Sequence, residues 1–133
     1  MPDGGCHCGA IRYSLEGEPK HSAVCHCESC RRTTGGLTTA WAGYPKEALT
    51  IERGEPCSYS SSAGVDRQFC GACGTSLFYF NEPAMPGVVD VLTVTLDEPE
   101  ALAPGLHVQM ADALKWEAGL DDLPKFDRFP GAG

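Results

Sequence analysis

The sequence predicts a mainly β protein built around bound metal, with one or two very short helices. Three observations carry that expectation. Apolar and polar residues alternate in short runs, as they do along half-buried strands. Glycine and proline, 16 and 10 of 133 residues, punctuate those runs at turn spacing. Seven of the eight cysteines fall into three tight clusters, the pattern of thiolates converging on a metal ion.

Taken in order, residues 10–15 (AIRYSL) alternate in polarity and read as a strand. Residues 37–44 and 49–53, then 58–61 and 66–69, continue the pattern, broken by Gly43-Tyr44-Pro45 and Ala63-Gly64. Residues 76–80 follow the last cysteine pair directly, which puts that pair on a turn entering a strand. Residues 88–96 are the longest β-branched run and the candidate for a buried central strand. Only residues 28–34 and 111–117 read as helical, each about two turns long. The tail, residues 121–133, is expected to pack Phe126 and Phe129 on the body. With no linker and no internal repeat, residues 1–133 are expected to form a single domain.

A composition of 42% apolar and 21% charged residues is that of a globular protein and excludes general disorder. The net charge of −8 argues against a nucleic-acid partner, because phosphate recognition needs clustered Lys and Arg. Only a local patch around Arg31, Arg32 and Arg67 runs the other way. No apolar run approaches the ~20 residues of a membrane span. The opening MPDGGC has no basic start or hydrophobic signal segment, so a soluble cytoplasmic protein is expected.

An even cysteine count is compatible with disulfides. A reducing compartment and the strain of bridging a C-x-C pair weigh against them. Cys6-His7-Cys8, Cys25-His26-Cys27-Glu28-Ser29-Cys30 and Cys70-Gly71-Ala72-Cys73 suit tetrahedral metal instead. Counting donors, Cys6, Cys8, Cys70 and Cys73 make a closed four-thiolate set of the structural type. Cys25, Cys27 and Cys30 supply three thiolates from one short loop, the catalytic pattern with a free fourth position. Spacing leaves other groupings open, including a fourth protein ligand, Cys57 or a histidine, that would close the second set. Zinc is the expected ion, since a lone three-cysteine set is rare for iron–sulfur centres.

The segments GCHCGAIRY, CHCESCRRTTG and FCGACGTSLF together resemble the three signatures of the glutathione-dependent formaldehyde-activating enzymes, a family that includes the centromere protein V domain. The likeness runs from Gly5 to about Phe80, and His107 through Trp116 to Phe126 looks like the family's C-terminal ending. It implies a β-tent fold, built of antiparallel sheets around zinc. It also implies a structural ion on Cys6, Cys8, Cys70 and Cys73, and a catalytic or exchangeable ion on Cys25, Cys27 and Cys30. The reaction implied joins glutathione to formaldehyde, giving S-(hydroxymethyl)glutathione.

Zinc with three thiolates and one free position binds an exogenous thiol as thiolate, ready to attack an aldehyde carbon. The expected function is therefore a zinc-dependent carbon–sulfur lyase or synthase acting on a small thiol and an aldehyde, with Cys25, Cys27 and Cys30 catalytic. The alternative is a zinc-stapled thiol-binding or protein-interaction module without turnover. His26 and His7, each between two cysteines, read as packing or surface residues, with proton transfer by His26 as the other role. Arg31 and Arg32 either face substrate carboxylates or balance thiolate charge. Trp41 and Trp116 are expected in the core, and Cys57 as a lone strand thiol.

Overall fold

The alternating runs pair into two sheets in the computed structural model of the chain, which describes residues 2–131. The end of the tail, residues 132–133, lies outside the described residues. The smaller sheet joins β1 (Asp3–Gly5), β2 (Arg12–Leu15) and β5 (Leu49–Arg53) in the order β1-β2-β5, all antiparallel. The larger contains β3 (His21–Cys25), β4 (Thr39–Pro45), β6 (Cys57–Ser62), β7 (Val65–Phe69), β8 (Ser76–Asn81), β9 (Val88–Leu92) and β10 (Leu106–Val108). Its order is β10-β3-β4-β9-β8-β7-β6, antiparallel except where β10 runs parallel to β3. The β-branched run of β9 holds the central place, covered on both faces as such a run requires.

One face of the large sheet packs on the small one. Tyr44, Phe78, Val89 and Val91 cluster there with Ile11, Tyr13 and Leu15, each at most 2% exposed. Phe78 meets Tyr13 edge-on at 5.1 Å. Burying one such side chain contributes ~1.5–3 kcal/mol. Cys6 and Cys70 belong to this same core, so one thiol pair is set where the sheets close on each other. Residues of the other parity face away: Trp41 and Leu92 form a second cluster with Cys25 and Cys30, against which Cys27, Tyr79 and Val108 pack. The period of two thus separates the face packed on the small sheet from the face that carries Cys25.

A single α-helix, α1 (Glu28–Thr34), starts at Cys27 and ends at Gly35; Cys30 is its one buried residue. Helical winding near residue 115 takes the tighter 3-10 form, at Met110–Asp112 and Lys115–Asp122. The tail differs from expectation. Phe126 and Phe129 are 57% and 81% exposed, because residues 123–131 form no strand or helix that would press them on a core already closed by two sheets. Trp116 is likewise exposed, on a 3-10 turn with no buried residue, whereas Trp41 is buried as expected. No described helix is long and apolar enough to cross a membrane.

Candidate functional site

Two tight turns bring four sulfurs together: Cys6-His7-Cys8 leaves β1, and Cys70-Gly71-Ala72-Cys73 joins β7 to β8. Each turn closes on a following glycine, whose N–H donates to the carbonyl of Cys6 at 3.2 Å or of Cys70 at 2.8 Å. At Gly74 this requires φ +83°, a left-handed conformation that a Cβ would oppose. The sulfurs of Cys6, Cys8, Cys70 and Cys73 all lie within 4.8 Å of one another. Cys6 and Cys8 are 3.7 Å apart, and Cys8 and Cys70 3.8 Å.

Thiolates bound tetrahedrally at ~2.3 Å stand about 3.8 Å from each other, whereas a disulfide needs ~2.05 Å. At these separations the four sulfurs, all of them free thiols, can hold one metal ion between them. Local donors favour anionic sulfur there. The Ile11 N–H reaches Cys6 Sγ at 3.2 Å and the Cys73 N–H reaches Cys70 Sγ at 3.4 Å. Against the cost of burial, the Ile11 amide holds the Cys6 thiol below its usual range. The Thr75 hydroxyl, 3.2 Å from Cys73 Sγ, helps lower that thiol to about 5. Cys57 lies against Gly71 in the same turn, its sulfur filling space that a Cβ would take.

The second trio assembles on the other face. Cys25 ends β3, Cys27 precedes α1, and Cys30 sits in its first turn, with Cys25 and Cys30 sulfurs 4.0 Å apart. Among the described residues, only the first cluster brings three or more potential ligand atoms within 4.8 Å of each other. The second trio instead opens on a cavity of about 390 Å³, walled in part by Ala23, Trp41, Tyr79 and Asp90. Arg67, 9% exposed on β7, donates from Nη1 to Cys30 Sγ at 3.5 Å and stacks 4.6 Å over the Tyr79 ring.

Arg67 makes no ion pair with a carboxylate among the described residues. A buried guanidinium needs a counter-charge, and the Cys30 sulfur is the anion at hand. The Cys25 thiol and Arg67, both donating, lower Cys30 to about 5, while Cys25 is pushed up by giving its proton to that bond. Thr39, opposite Cys25 on the β3–β4 ladder, keeps a buried hydroxyl with no partner. Thiolate donors, a compensating cation and a spare donor suit an ion held by this trio.

Strand register adds groups that the sequence reading did not place beside these cysteines. His21, Gly43, Asp90, Tyr79 and Arg67 form one cross-strand row over β3, β4, β9, β8 and β7. His21 crosses Gly43 to place Nε2 at 2.6 Å from Asp90 Oδ1. A Cβ at position 43 would stand 2.1 Å from the imidazole, so only glycine permits the contact. Burial pushes the Asp90 carboxyl up, and His21 offsets part of that. The Tyr79 hydroxyl accepts from Asn81 Nδ2 at 2.9 Å, and its ring lies 5.6 Å from that of Trp41. His21 and Cys25 share parity on β3; that was the one available sequence signal.

His26 turns away from the sulfurs, 2% exposed, bonded to Glu117 Oε2 at 3.0 Å and His107 Nδ1 at 2.9 Å, which is the packing role expected. His7 is exposed. Arg31 donates to the Asp112 carbonyl at 3.2 Å and Arg32 to Glu28 at 3.0 Å. Arg32 and Arg67 also line a second cleft, of about 580 Å³.

Known proteins resemble this chain in sequence and in fold. The sequence model of the family described as glutathione-dependent formaldehyde-activating enzyme matches residues 1–112. A Halomonas elongata protein named "Putative glutathione-dependent formaldehyde-activating enzyme" is 27% identical over 128 residues, 86% of this chain and 78% of that one. An uncharacterized lyase of Schizosaccharomyces pombe is 36% identical over 81 residues, 59% of this chain and 58% of its own length. A Phaeosphaeria nodorum protein with the same name as the Halomonas one is 24% identical, covering 84% of this chain and 54% of that one. The chain thus spans little more than half the length of these two fungal relatives. A crystal structure of a Rhodobacter sphaeroides protein shares the fold, with a TM-score of 0.65 at 24% identity, over 80% of this chain and 99% of that one. The mainly β, β-tent arrangement expected from the resemblance is the one observed, and the chain belongs to the glutathione-dependent formaldehyde-activating enzyme family.

Proposed function

We propose that the chain is a zinc-dependent carbon–sulfur lyase, working as a synthase that joins a small thiol of the glutathione type to an aldehyde such as formaldehyde. The observation that carries this reading is the trio of Cys25, Cys27 and Cys30 opening on a cavity beside a buried cation. In this reading residues 1–133 make a single zinc-binding domain, with a structural ion on Cys6, Cys8, Cys70 and Cys73 and an exchangeable one on Cys25, Cys27 and Cys30. Zinc on three thiolates would supply a position where an incoming thiol loses its proton near neutral pH, although free thiols have a pKa of about 8.5.

The chain's own residues prepare the rest. Arg67 offsets the negative charge gathered on sulfur. Ala23 and Trp41 wall the cavity with apolar surface, which limits water around the reacting sulfur. Arg32 lines the second cleft, where its guanidinium suits the C-terminal carboxylate of a peptide thiol. Eight unbridged cysteines suit a reducing, cytoplasmic compartment. The net charge of −8 suits small-molecule partners better than nucleic acid.

Reduced, zinc-loaded protein mixed with glutathione and formaldehyde is expected to accelerate adduct formation over a protein-free control, followed by exchange NMR. Equal rates would remove the enzymatic reading. Calorimetric binding of glutathione without acceleration would put a thiol-binding module in its place.

A further inference from the structure

We infer that Asp90, held by His21 at the end of the cavity remote from the cysteines, is a specificity residue that takes the ammonium group of the thiol substrate. The inference rests on the function proposed above and names the class of thiol: one carrying a cation at a set distance from its sulfur, as a γ-glutamyl peptide does.

Asp90 is 6% exposed and lines the same cavity as Cys25, Cys27 and Cys30. Oδ1 is taken by His21, and Oδ2 has no hydrogen-bond partner among the described residues. Oδ2 is also absent from the fully enclosed, partnerless atoms, which are Thr39 Oγ1 and Tyr44 Oη, so it is open to the cavity. A largely buried carboxylate with a free oxygen favours a cationic donor. The protein's own nearby cation does not fill that place. Arg67 lies beyond Tyr79 in the cross-strand row and is committed to Cys30 and Ser61.

The spacing selects among thiols. His21 and Cys25 are four residues apart on β3, about 13 Å at strand rise; Asp90 lies two strands over on β9, and its carboxylate comes back across Gly43 to His21 at the far end of that span. Between them Ala23 leaves the floor low, with Trp41 beside it. In a γ-glutamylcysteine unit, eight bonds separate sulfur from the ammonium nitrogen, about 10 Å when extended. Contact distances at the two ends make up the remainder. In free cysteine only three bonds separate the two groups, which is too short to reach both ends.

Calorimetry on reduced, zinc-loaded protein tests this with two probes, glutathione and glutaryl-cysteinylglycine, which lacks only the ammonium group. The wild type should bind glutathione about tenfold tighter, the worth of one charge-assisted bond. Asp90→Asn should bring the two affinities within about twofold, by weakening glutathione alone. His21→Ala, which keeps the carboxylate and removes its partner, should widen the preference, and it serves as the test if Asp90→Asn does not fold. Equal wild-type affinities, an Asp90→Asn variant that loses both probes alike, or a His21→Ala variant with unchanged or narrowed preference would overturn the inference. A wild type that binds neither thiol would refute the proposed function itself.

Discussion

Gly43 has no room for a side chain, because the His21 imidazole already occupies its place. Gly43→Ala must drive His21 off Asp90 and leave a mostly buried carboxylate without its donor. Such a loss costs about 1–3 kcal/mol. Denaturant unfolding should show that destabilisation in Gly43→Ala, and a much smaller cost when the same change is made on a His21→Ala background. Equal costs on both backgrounds would mean that the backbone, not the imidazole, sets the requirement. The same logic explains why the site residues were only half visible in the sequence. Cys25, Cys27 and Cys30 announce themselves by spacing; Arg67, Tyr79 and Asp90 come from three strands and are neighbours only through register.

Among the elements, β10 is the least self-sufficient. It has three residues, pairs parallel to β3, and carries His107 to His26. Glu117, on the 3-10 segment that follows, completes the link by taking the other nitrogen of His26. Glu117→Ala should therefore loosen residues 106–122, with faster amide exchange there and unchanged protection in β4, β8 and β9; exchange that rises uniformly would refute the local role. Strands with clean alternation or a β-branched run, such as β5 and β9, were legible from sequence. Three were not. β1 is Asp-Gly-Gly, β3 reads His-Ser-Ala-Val-Cys without a regular polarity pattern, and β10 exists only through a long-range parallel pairing. The exposed Phe126, Phe129 and Trp116 misled in the opposite sense, since hydrophobicity alone does not supply a surface to pack on.

For the whole molecule, the four-cysteine cluster ties residues 6–8 to the β7–β8 turn, with Cys6 and Cys70 in the core shared by both sheets and Cys8 and Cys73 at the surface. Metal binding free energy at such a point is folding free energy. Cys70→Ser should cost several kcal/mol and yield mostly insoluble protein, whereas Cys27→Ser, altering a half-buried residue outside that core, should fold with a near-wild-type melting temperature. The two-ion division makes one quantity decisive. Elemental analysis of freshly purified, reduced protein should find two zinc atoms per wild-type chain and one in Cys27→Ser. Metal-free protein whose cysteines are joined in pairs, or a Cys27→Ser variant that loses both ions, would contradict the account.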